Sequence, residues 1–313
     1  YSTLDNAVRA VKEGAFDFLA KPFHPEAVEL MLAKVARDHG LRRRVHVAQE
    51  RDLDLMALQG SSPLMERLRD WVRRVRSTKA SVLVEGESGT GKELVARAIH
   101  GGQGPFVAIN MAAIPDTLAE AELFGHRKGA FTGAVADKTG LLVEAKGGTL
   151  FLDEINAATV PMQARLLRVL QERKLRPVGG TAEIPVDFRL VCASNQSLEE
   201  LVRQGGFRRD LFHRLNTLHV RIPPLREHRD DIPALVEHFL QRYARAHGRR
   251  ARRFSAEAMA AFLKAEWPGN IRELENIVQR TVIMAKGETI EAGDLPQDLR
   301  GDAPLLVKHE APE

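Results

Sequence analysis

Eight consecutive residues decide the fold: Gly86-Glu87-Ser88-Gly89-Thr90-Gly91-Lys92-Glu93. They follow the apolar run Ser81–Glu85, which predicts a strand, and they lead into Glu93–His100, which predicts a helix. A phosphate-binding loop requires this order of strand, glycine loop and helix. The glycines let backbone N–H groups curl around phosphates, and the helix N-terminus adds a positive dipole. Lys92 supplies a point charge for the β- and γ-phosphates, so we expect a nucleotide site here.

Strands and helices alternate around this loop. Further apolar strands are predicted at Phe106–Asn110, Thr149–Asp153, Arg189–Ala193 and Leu218–Ile222. Helices are predicted before and between them at Leu64–Arg76 and Pro161–Glu172. Such alternation indicates a mostly parallel sheet that is covered on both faces. The predicted fold class is therefore α/β, a P-loop core.

Strand patterns stop at about Asp230, and only helical patterns follow. The three amphipathic stretches are Ile232–His247, Ala256–Ala265 and Ile271–Ala285. Ser255 is a plausible N-cap for the second of them, and Pro268-Gly269 breaks the chain before the third. The sequence thus predicts a small helical domain after the α/β core.

An acidic pair, Asp153-Glu154, ends the apolar strand Thr149–Asp153. Carboxylate oxygens are the ligands that Mg²⁺ prefers, so Asp153 is the candidate that holds the metal, usually through water. Glu154 is placed to orient and polarise the attacking water, because phosphoryl transfer depends mostly on positioning and charge stabilisation. A lone acidic pair after a strand is also common in solvated turns. Its place downstream of a phosphate loop favours the catalytic interpretation.

Two stretches carry a resemblance to the central ATPase domain of bacterial sigma-54-dependent transcription activators, the NtrC-type branch of the AAA+ superfamily. The first is the phosphate loop, which has Glu93 where other P-loops have Ser or Thr. The second is Gly-Ala-Phe-Thr-Gly-Ala at residues 129–134, which matches the sigma-54 contact loop of that family letter for letter. The resemblance covers about residues 59–298 and implies ATP and Mg²⁺ as ligands. It leaves the role of Glu93 at the metal open.

The resemblance also implies the partner. The contact loop consists of Gly129, Ala130, Phe131, Thr132, Gly133 and Ala134. Its glycines provide hinge freedom and Phe131 provides an apolar tip. In the family this loop rises with ATP and engages sigma-54, so that ATP hydrolysis remodels the closed promoter complex of sigma-54 RNA polymerase. A second loop, Arg176–Gly180, is similar to the insertion that supports it.

Further roles follow from the resemblance alone. Asn195 matches sensor I, which reaches the γ-phosphate region, and Asn110 matches the residue that holds the catalytic glutamate until the ring is engaged. Arg208 and Arg214 match arginine fingers that act on the neighbouring subunit, and Arg272 matches sensor II in the lid. Fingers acting between subunits imply a homo-oligomeric ring, a hexamer, with a dimer as the inactive form. For either asparagine, a turn residue at a strand end is the alternative.

The N-terminal part resembles a different family. Residues Gly14–Phe23, with the pair Lys21-Pro22, are similar to the last strand of a two-component receiver domain. An unrelated helical segment is the alternative. The expected organisation is a response-regulator receiver remnant at 1–44, a linker at 45–58, an ATPase core at 59–229, a helical lid at 230–300 and a tail at 301–313.

Composition, cysteine count and the lengths of apolar runs exclude several classes of protein. Of 313 residues, 44% are hydrophobic and 28% are charged, which is an ordinary globular composition. The single cysteine, Cys192, excludes an internal disulfide, and its apolar neighbours oppose a catalytic thiol. No run reaches the roughly 18 apolar residues of a membrane span, and no signal peptide is visible. We therefore expect a cytoplasmic location.

Two rival functions stay open at this point. A non-catalytic DNA-binding scaffold would use the basic runs Arg42–Arg44 and Arg249–Arg253. Such runs are more often solvated faces, and no helix-turn-helix follows Leu299, so we expect weak, salt-sensitive DNA contact at most and an indirect relation to promoter DNA. A P-loop kinase or a generic unfoldase is the second rival. The Asp153-Glu154 pair argues for attack by water, and the loop at 129–134 argues against an unfoldase.

Overall fold

The computed structural model describes residues 58–131 and 133–300, with the side chains of Asp116, Thr117 and Arg300 left out. The predictions for residues 1–57, for Thr132 and for residues 301–313 lie outside this part of the chain. They include the receiver remnant and the linker.

The described elements are named here in chain order. The strands are β1 (Val82–Glu85), β2 (Phe106–Asn110), β3 (Gly125–His126), β4 (Lys138–Thr139), β5 (Thr149–Asp153), β6 (Lys174–Leu175), β7 (Ile184–Pro185), β8 (Arg189–Ser194), β9 (Leu218–Arg221), β10 (Arg253–Phe254) and β11 (Thr289–Ile290). The α-helices are α1 (Pro63–Arg76), α2 (Lys92–His100), α3 (Asp116–Phe124), α4 (Leu141–Glu144), α5 (Val160–Glu172), α6 (Leu198–Arg203), α7 (Arg209–Leu215), α8 (Ile232–Ala246), α9 (Ala256–Lys264), α10 (Asn270–Met284) and α11 (Gln297–Arg300). Short 3-10 helices cover Ile155–Ala157, Leu225–Glu227, Arg229–Asp231 and Ala292–Asp294.

A five-stranded sheet forms the core, in the order β2-β5-β8-β1-β9, and its neighbouring strands pair in parallel. The five strands are those that the sequence predicts, with ends that differ by no more than one residue. The register places Asn110 opposite Asp153, and Glu85 opposite Ser194. Because parallel strands end at the same edge, the polar strand ends gather where ligands bind in open α/β sheets.

Both faces of the sheet are covered, as the alternation of side chains along a buried strand requires. Val82 and Val84 pack with α1 and α2 on one face, in a cluster that includes Val72 and Ile99. Leu83, between them, packs in the opposite cluster with α3 and α5. The thiol of Cys192 is fully buried, and burial raises its pKa far above the ordinary value. That setting confirms the prediction of an unreactive cysteine.

The lid follows the sheet and packs around α8, α9 and α10. Trp267 lies at its centre, where its ring stacks on Phe262 at 5.9 Å and its Nε1 donates to the Phe262 carbonyl at 2.9 Å. Ser255 caps α9, because its side chain accepts from the Ala258 N–H, as predicted. The prediction that no strands follow Asp230 is wrong: β10 and β11 pair in parallel. Each has two residues, too few to show an alternating pattern in the sequence.

Of the helices in the described part of the chain, none has the length and apolar character needed to cross a membrane.

Candidate functional site

The phosphate loop connects β1 to α2 at the carboxyl edge of the sheet. Gly89 and Gly91 adopt φ angles of 79° and 91°, a left-handed conformation that favours glycine. A Cβ atom at Gly89 would also overlap the carbonyl oxygen of Gly269 in the lid. The loop therefore needs glycine at position 89 for both its backbone conformation and its packing.

Lys92 lies at the first position of α2 and folds back over the loop. Its Nζ donates to the carbonyl oxygens of Gly86 at 2.8 Å and Glu87 at 2.9 Å. Burial lowers the pKa of Lys92, while the negative charges of Asp153 and Glu154 oppose this effect. The lysine and the acidic pair therefore belong to one electrostatic site, as the sequence predicts.

The acidic pair occupies the end of β5. Burial raises the pKa of Asp153 above its ordinary value, against the opposing effects of the Glu154 N–H and the Lys92 charge. The Asp153 Oδ1 accepts that N–H at 2.9 Å. Glu154 itself has φ 51°, a left-handed conformation that a residue with a side chain rarely adopts. Backbone conformations of this kind concentrate at functional sites.

Two asparagines follow neighbouring strands. Asn110 lines the same cleft as the acidic pair, and its Oδ1 accepts the N–H groups of Ala112 at 2.9 Å and Ala113 at 3.2 Å. This leaves its Nδ2 as the atom that can donate to the carboxylate of Glu154. Asn195 comes after β8, and its buried Oδ1 has no partner. It lies outside the lining of the cleft.

The phosphate loop, Asn110 and the acidic pair line one cleft of about 620 Å³ between the core and the lid. One part is polar and is formed by the phosphate loop with Asn110, Asp153, Glu154 and Arg272. The other part is largely apolar and is formed by Leu58, Met65, Leu68, Ile222, Leu235 and Phe239. A nucleotide has the same division between phosphates and base. The sequence gives no signal for the apolar part, because its residues come from widely separated segments.

The lid contacts the phosphate loop directly. Arg272 Nη1 donates to the Ser88 hydroxyl at 3.1 Å, and the Arg272 N–H donates to the Gly89 carbonyl at 3.2 Å. A pair that sequence reasoning missed lies beside it, where Arg226 donates to both carboxylate oxygens of Glu87 at 2.6 and 2.8 Å. Hydrogen bonds from Arg226 and then Asn270 hold the pKa of Glu87 at about 2. Its side chain is therefore bound to the lid.

The residues present fit a magnesium ion. In the part of the chain that the structure describes, no three or more His, Cys, Asp or Glu residues are arranged so that they could hold a metal ion by themselves. Mg²⁺ beside phosphates needs only one or two protein carboxylates, and Asp153 meets this requirement. Glu93 adds negative charge that contributes to the raised pKa of Asp153, while its carboxylate accepts from Arg97 at 2.7 Å. Glu93 is thus a further carboxylate near Asp153, and it already has Arg97 as a partner.

The two predicted finger arginines lie elsewhere. Arg208 forms a two-pronged ion pair with Asp210, at 2.7 and 3.0 Å, and both side chains are exposed. Arg214 donates to the Leu170 carbonyl at 3.0 Å and is also exposed. Neither of them lines the phosphate cleft of its own chain. Arg208 instead borders a shallow depression that it shares with Arg209, Asp210 and His213.

The loop at 129–134 sits on a short stem. Strands β3 and β4 pair antiparallel, and Asp137 closes the stem by accepting from the Lys128 N–H at 2.7 Å and from Arg127 at 2.5 Å. Above the stem, Phe131 is 37% exposed and its ring lies 4.9 Å from that of His126. Val135 is 82% exposed. Phe131 in the loop and Val135 directly after it therefore present apolar side chains to solvent.

The second loop packs against the first. The Val178 N–H donates to the Gly125 carbonyl at 2.9 Å, and the Arg127 N–H donates to the Val178 carbonyl at 3.0 Å. A Cβ atom at Gly179 would lie 2.7 Å from the Cβ of Ala130, so the two loops touch where Gly179 has no side chain. The second loop, Arg176–Gly180, therefore lies in contact with Ala130 and with the stem below it.

Two family models match the chain. A model described as a sigma-54 interaction domain matches residues 58–221, and one described as an AAA+ ATPase lid domain matches residues 226–311. The two matched regions meet close to the point where the sheet gives way to the lid.

Known proteins extend this result. The chain is 42% identical over 307 residues to the regulatory protein AtoC of Escherichia coli, covering 96% of this chain and 67% of that protein. It is 46% identical over 308 residues to the transcriptional regulator NtrC of E. coli, covering 96% and 64%. A crystal structure of NtrX from Brucella abortus in complex with ATP superposes with a TM-score of 0.75 at 36% identity, covering 99% and 69%. The chain thus spans about two thirds of the length of these relatives.

Proposed function

This chain belongs to the sigma-54 interaction family of AAA+ ATPases, whose members hydrolyse ATP to activate transcription. We propose the following roles in that activity for the residues of this chain. ATP binds in the cleft between the sheet and the lid. Its hydrolysis drives the loop at 129–134 against sigma-54 in the closed promoter complex. The convergence of Lys92, Asp153 and Glu154 on one cleft is the observation that carries this proposal.

The chemistry follows from the positions of these side chains. The N–H groups of the phosphate loop and the Lys92 ammonium bind the phosphates. Asp153 would hold Mg²⁺, and the ion would supply positive charge beside the transferred phosphoryl group. Glu154 accepts a hydrogen bond from the attacking water and orients it in line with the leaving group. Asn110 donates from Nδ2 to the Glu154 carboxylate and so holds it until the ring is engaged.

We assign Arg208 and Arg214 to the neighbouring subunit's site. Their exposure, and their position outside the cleft of their own chain, support action between subunits. An arginine finger contributes about 10³–10⁵ in rate. The active form is then a ring, a hexamer, and a separated subunit hydrolyses ATP only slowly. Asn195, which follows β8, serves as the sensor of the γ-phosphate region.

The sigma-54 contact is assigned to Gly129, Ala130, Phe131, Thr132, Gly133 and Ala134. The exposure of Phe131 and the support from the second loop favour this assignment. An apolar tip on a glycine-flanked loop suits a protein partner, because exposed apolar groups mark interaction sites. Residues 1–44 remain proposed as a receiver remnant, and promoter DNA remains an indirect partner.

The decisive experiment mixes two inactive variants. Glu154→Gln lacks the water-orienting carboxylate but still presents its arginines, whereas Arg208→Ala lacks a finger but keeps an intact cleft. We expect each alone to be nearly inactive, and a mixture to recover ATPase activity at mixed interfaces. Arg209→Ala, next in the chain, is the matched control and retains activity.

Sigma-54 dependence is measured in the same preparation. Wild-type protein is titrated over concentration, with and without sigma-54 holoenzyme on premelted promoter DNA, and ATP hydrolysis and transcript formation are followed. Specific activity should rise with protein concentration as rings form. Concentration-independent turnover, no recovery in the mixture, or phosphate transfer to a substrate hydroxyl in place of water would each overturn the proposal.

A further inference from the structure

The phosphate loop has a second side that the nucleotide does not touch. In a trans peptide the carbonyl oxygen of one residue and the N–H of the next point in opposite directions. A loop that turns its N–H groups inward to phosphate must therefore turn the preceding carbonyls outward. Those carbonyls need donors of their own, because buried backbone acceptors are paired in native proteins.

The loop itself satisfies the first two carbonyls. Lys92 Nζ donates to the carbonyls of Gly86 and Glu87, and Thr90 Oγ1 donates to that of Glu87 at 2.8 Å. These bonds fix the peptide planes whose N–H groups belong to Glu87 and Ser88. Every donor here comes from the core domain.

The lid satisfies the next two carbonyls. Asn270 Nδ2 donates to the Ser88 carbonyl at 3.0 Å, and the Arg272 N–H donates to the Gly89 carbonyl at 3.2 Å. The Arg272 N–H belongs to the first turn of α10, where no intrahelical acceptor exists for it. The peptide planes fixed from the lid carry the N–H groups of Gly89 and Thr90. Of these four peptide planes of the phosphate loop, two are thus oriented by the lid.

Asn270 is built for this contact. It is fully buried and has φ 52°, in the left-handed region that asparagine tolerates better than most residues. Its Oδ1 accepts the Leu225 N–H at 2.9 Å, and its Nδ2 reaches both the Ser88 carbonyl and, at 3.2 Å, the Glu87 carboxylate. One side chain therefore joins the segment leading to the lid, the phosphate loop and the start of α10.

Arg226 reinforces the same junction from the surface. It leaves the segment beside Leu225 and binds the Glu87 carboxylate with two hydrogen bonds. The Glu87 side chain is thereby held between Arg226 and Asn270. Both contacts come from residues beyond the sheet.

We propose that Asn270 is a positioning residue for phosphate binding, through which the docked lid pre-organises the phosphate loop, with Arg226 in a supporting role. This proposal rests on the proposed ATPase function and adds a regulation to its site. When the lid is displaced, the carbonyls of Ser88 and Gly89 lose the hydrogen bonds that the lid donates. The N–H groups of Gly89 and Thr90, on the same peptide planes, are then no longer held toward the phosphates. Because coupling is reciprocal, bound phosphate must hold the lid as strongly as the lid holds the cradle.

Nucleotides with different numbers of phosphates test this coupling. Asn270→Gly is the clean variant, because glycine adopts the left-handed conformation without strain and only the side-chain hydrogen bonds are lost. Dissociation constants for ATP, ADP and adenosine are measured with the full chain, by competition against a fluorescent ADP analogue. We expect ATP and ADP to bind about tenfold more weakly, as the loss of buried hydrogen bonds implies, with adenosine unchanged. In turnover, KM for ATP rises more than kcat falls.

The matched control is Glu266→Gln, which breaks the exposed ion pair with Arg229 close to the same turn and leaves the phosphate loop untouched. It keeps the affinities of the wild type for all three ligands. If Asn270→Gly weakened the binding of ATP, ADP and adenosine equally, Asn270 would have a merely structural role. Lid residues also line the apolar part of the cleft, so a distorted lid would weaken the binding of all three ligands. Unchanged ATP and ADP affinity would likewise overturn the inference.

A second variant keeps the proposal testable if Asn270→Gly does not fold. Arg226→Gln removes one side of an exposed ion pair, so the fold is preserved, and it should weaken the binding of ADP by about two- to fivefold while the affinity for adenosine stays unchanged. An Arg226→Gln protein with wild-type ADP affinity, beside an Asn270→Gly protein that does not fold, would also reject the proposal. Failure of the proposed ATPase function is distinct from these outcomes, because it appears as absent turnover in the wild-type chain.

Discussion

Two glycine-rich loops of this protein use the same residue for different reasons. In the phosphate loop, a Cβ atom at Gly86 would lie 3.0 Å from the Thr90 hydroxyl and 3.1 Å from the Ile222 carbonyl, and one at Gly89 would overlap the lid. In the contact loop, Gly129 and Gly133 have φ angles of 81° and 102°, and no atom lies within 4 Å of an added Cβ. Glycine permits close packing in the first loop and only an unusual backbone conformation in the second.

This difference in packing around the glycines matches the function that we propose for each loop. A phosphate site works best when its dipoles are already aimed at the ligand, because reorientation during the reaction costs free energy. A loop that engages a large partner through hydrolysis has to change position, and elements that move are drawn from regions with few packed neighbours. The following predictions separate the two loops by experiment.

The largest effect is expected from Glu154→Gln. Loss of the water-orienting carboxylate should lower kcat for ATP hydrolysis by about 10²–10⁴-fold, while ATP affinity stays close to wild type because the phosphate loop is intact. Steady-state phosphate release and nucleotide titration measure the two quantities. A variant that hydrolyses ATP at the normal rate would remove Glu154 from the mechanism.

Gly89→Ala should damage binding itself. Overlap with the Gly269 carbonyl and strain at φ 79° together cost about 2–4 kcal/mol, which corresponds to at least about thirtyfold weaker ATP binding. The control is Gly205→Ala, which has φ 78° but open space around the added Cβ. If both variants bind ATP equally well, packing against the lid is not what selects glycine at position 89.

Thr132→Ala addresses the contact loop. We expect ATP hydrolysis at the wild-type rate and a loss of transcription activation of about tenfold or more, because a few residues near the centre of an interface carry most of its binding energy. ATPase assays and transcript yield from a sigma-54-dependent promoter measure the two effects. Intact activation would show that the loop assignment is wrong.

Asp231→Asn tests how the start of α1, next to the nucleotide cleft, is held in place. Asp231 is fully buried, and although burial alone raises its pKa, hydrogen bonds from the Ser62 hydroxyl, the Ser62 N–H, His228 and the Ser61 N–H lower it below the ordinary value of 3.8. These bonds fix the start of α1 beside Leu58, which lines the cleft. At neutral pH the variant should lose about 1–2 kcal/mol of unfolding free energy.

The pH dependence of this loss has a definite sign. A lowered pKa in the folded state means that Asp231 stabilises the protein above pH 3.8, and that this contribution disappears as the pH falls through the lowered pKa. Urea unfolding of both proteins at several pH values should therefore show a gap that closes toward acid. A gap that is constant with pH would show that the charge of Asp231 does not stabilise the fold.

Much of the site could be read from short stretches of sequence. The phosphate loop and the acidic pair each follow a strand that the apolar pattern reveals, and the structure places Lys92, Asp153 and Glu154 together. The parallel order of the strands makes this convergence necessary, since strand ends share one edge. The two-residue strands β10 and β11 escaped detection because they are too short to show a period.

The junction between lid and phosphate loop was invisible in the sequence. Asn270 lies only two residues before Arg272, which the resemblance singles out, yet its contact with Ser88 spans 182 positions, and Arg226 lies 139 positions from Glu87. Local patterns report hydrophobic periodicity and turn chemistry within a dozen or so residues. They contain nothing about which distant side chain meets a given carbonyl.

The sequence by itself therefore determined the kind of chemistry: a glycine loop with Lys92, a carboxylate pair at a strand end, and a glycine-flanked loop with an apolar tip. Only the tertiary structure decided that the lid donates hydrogen bonds to the phosphate loop and that Arg208 lies outside the lining of its own chain's cleft. The physical reason is that short-range residue order sets local conformation, whereas the partners of buried polar groups are set by how whole elements pack.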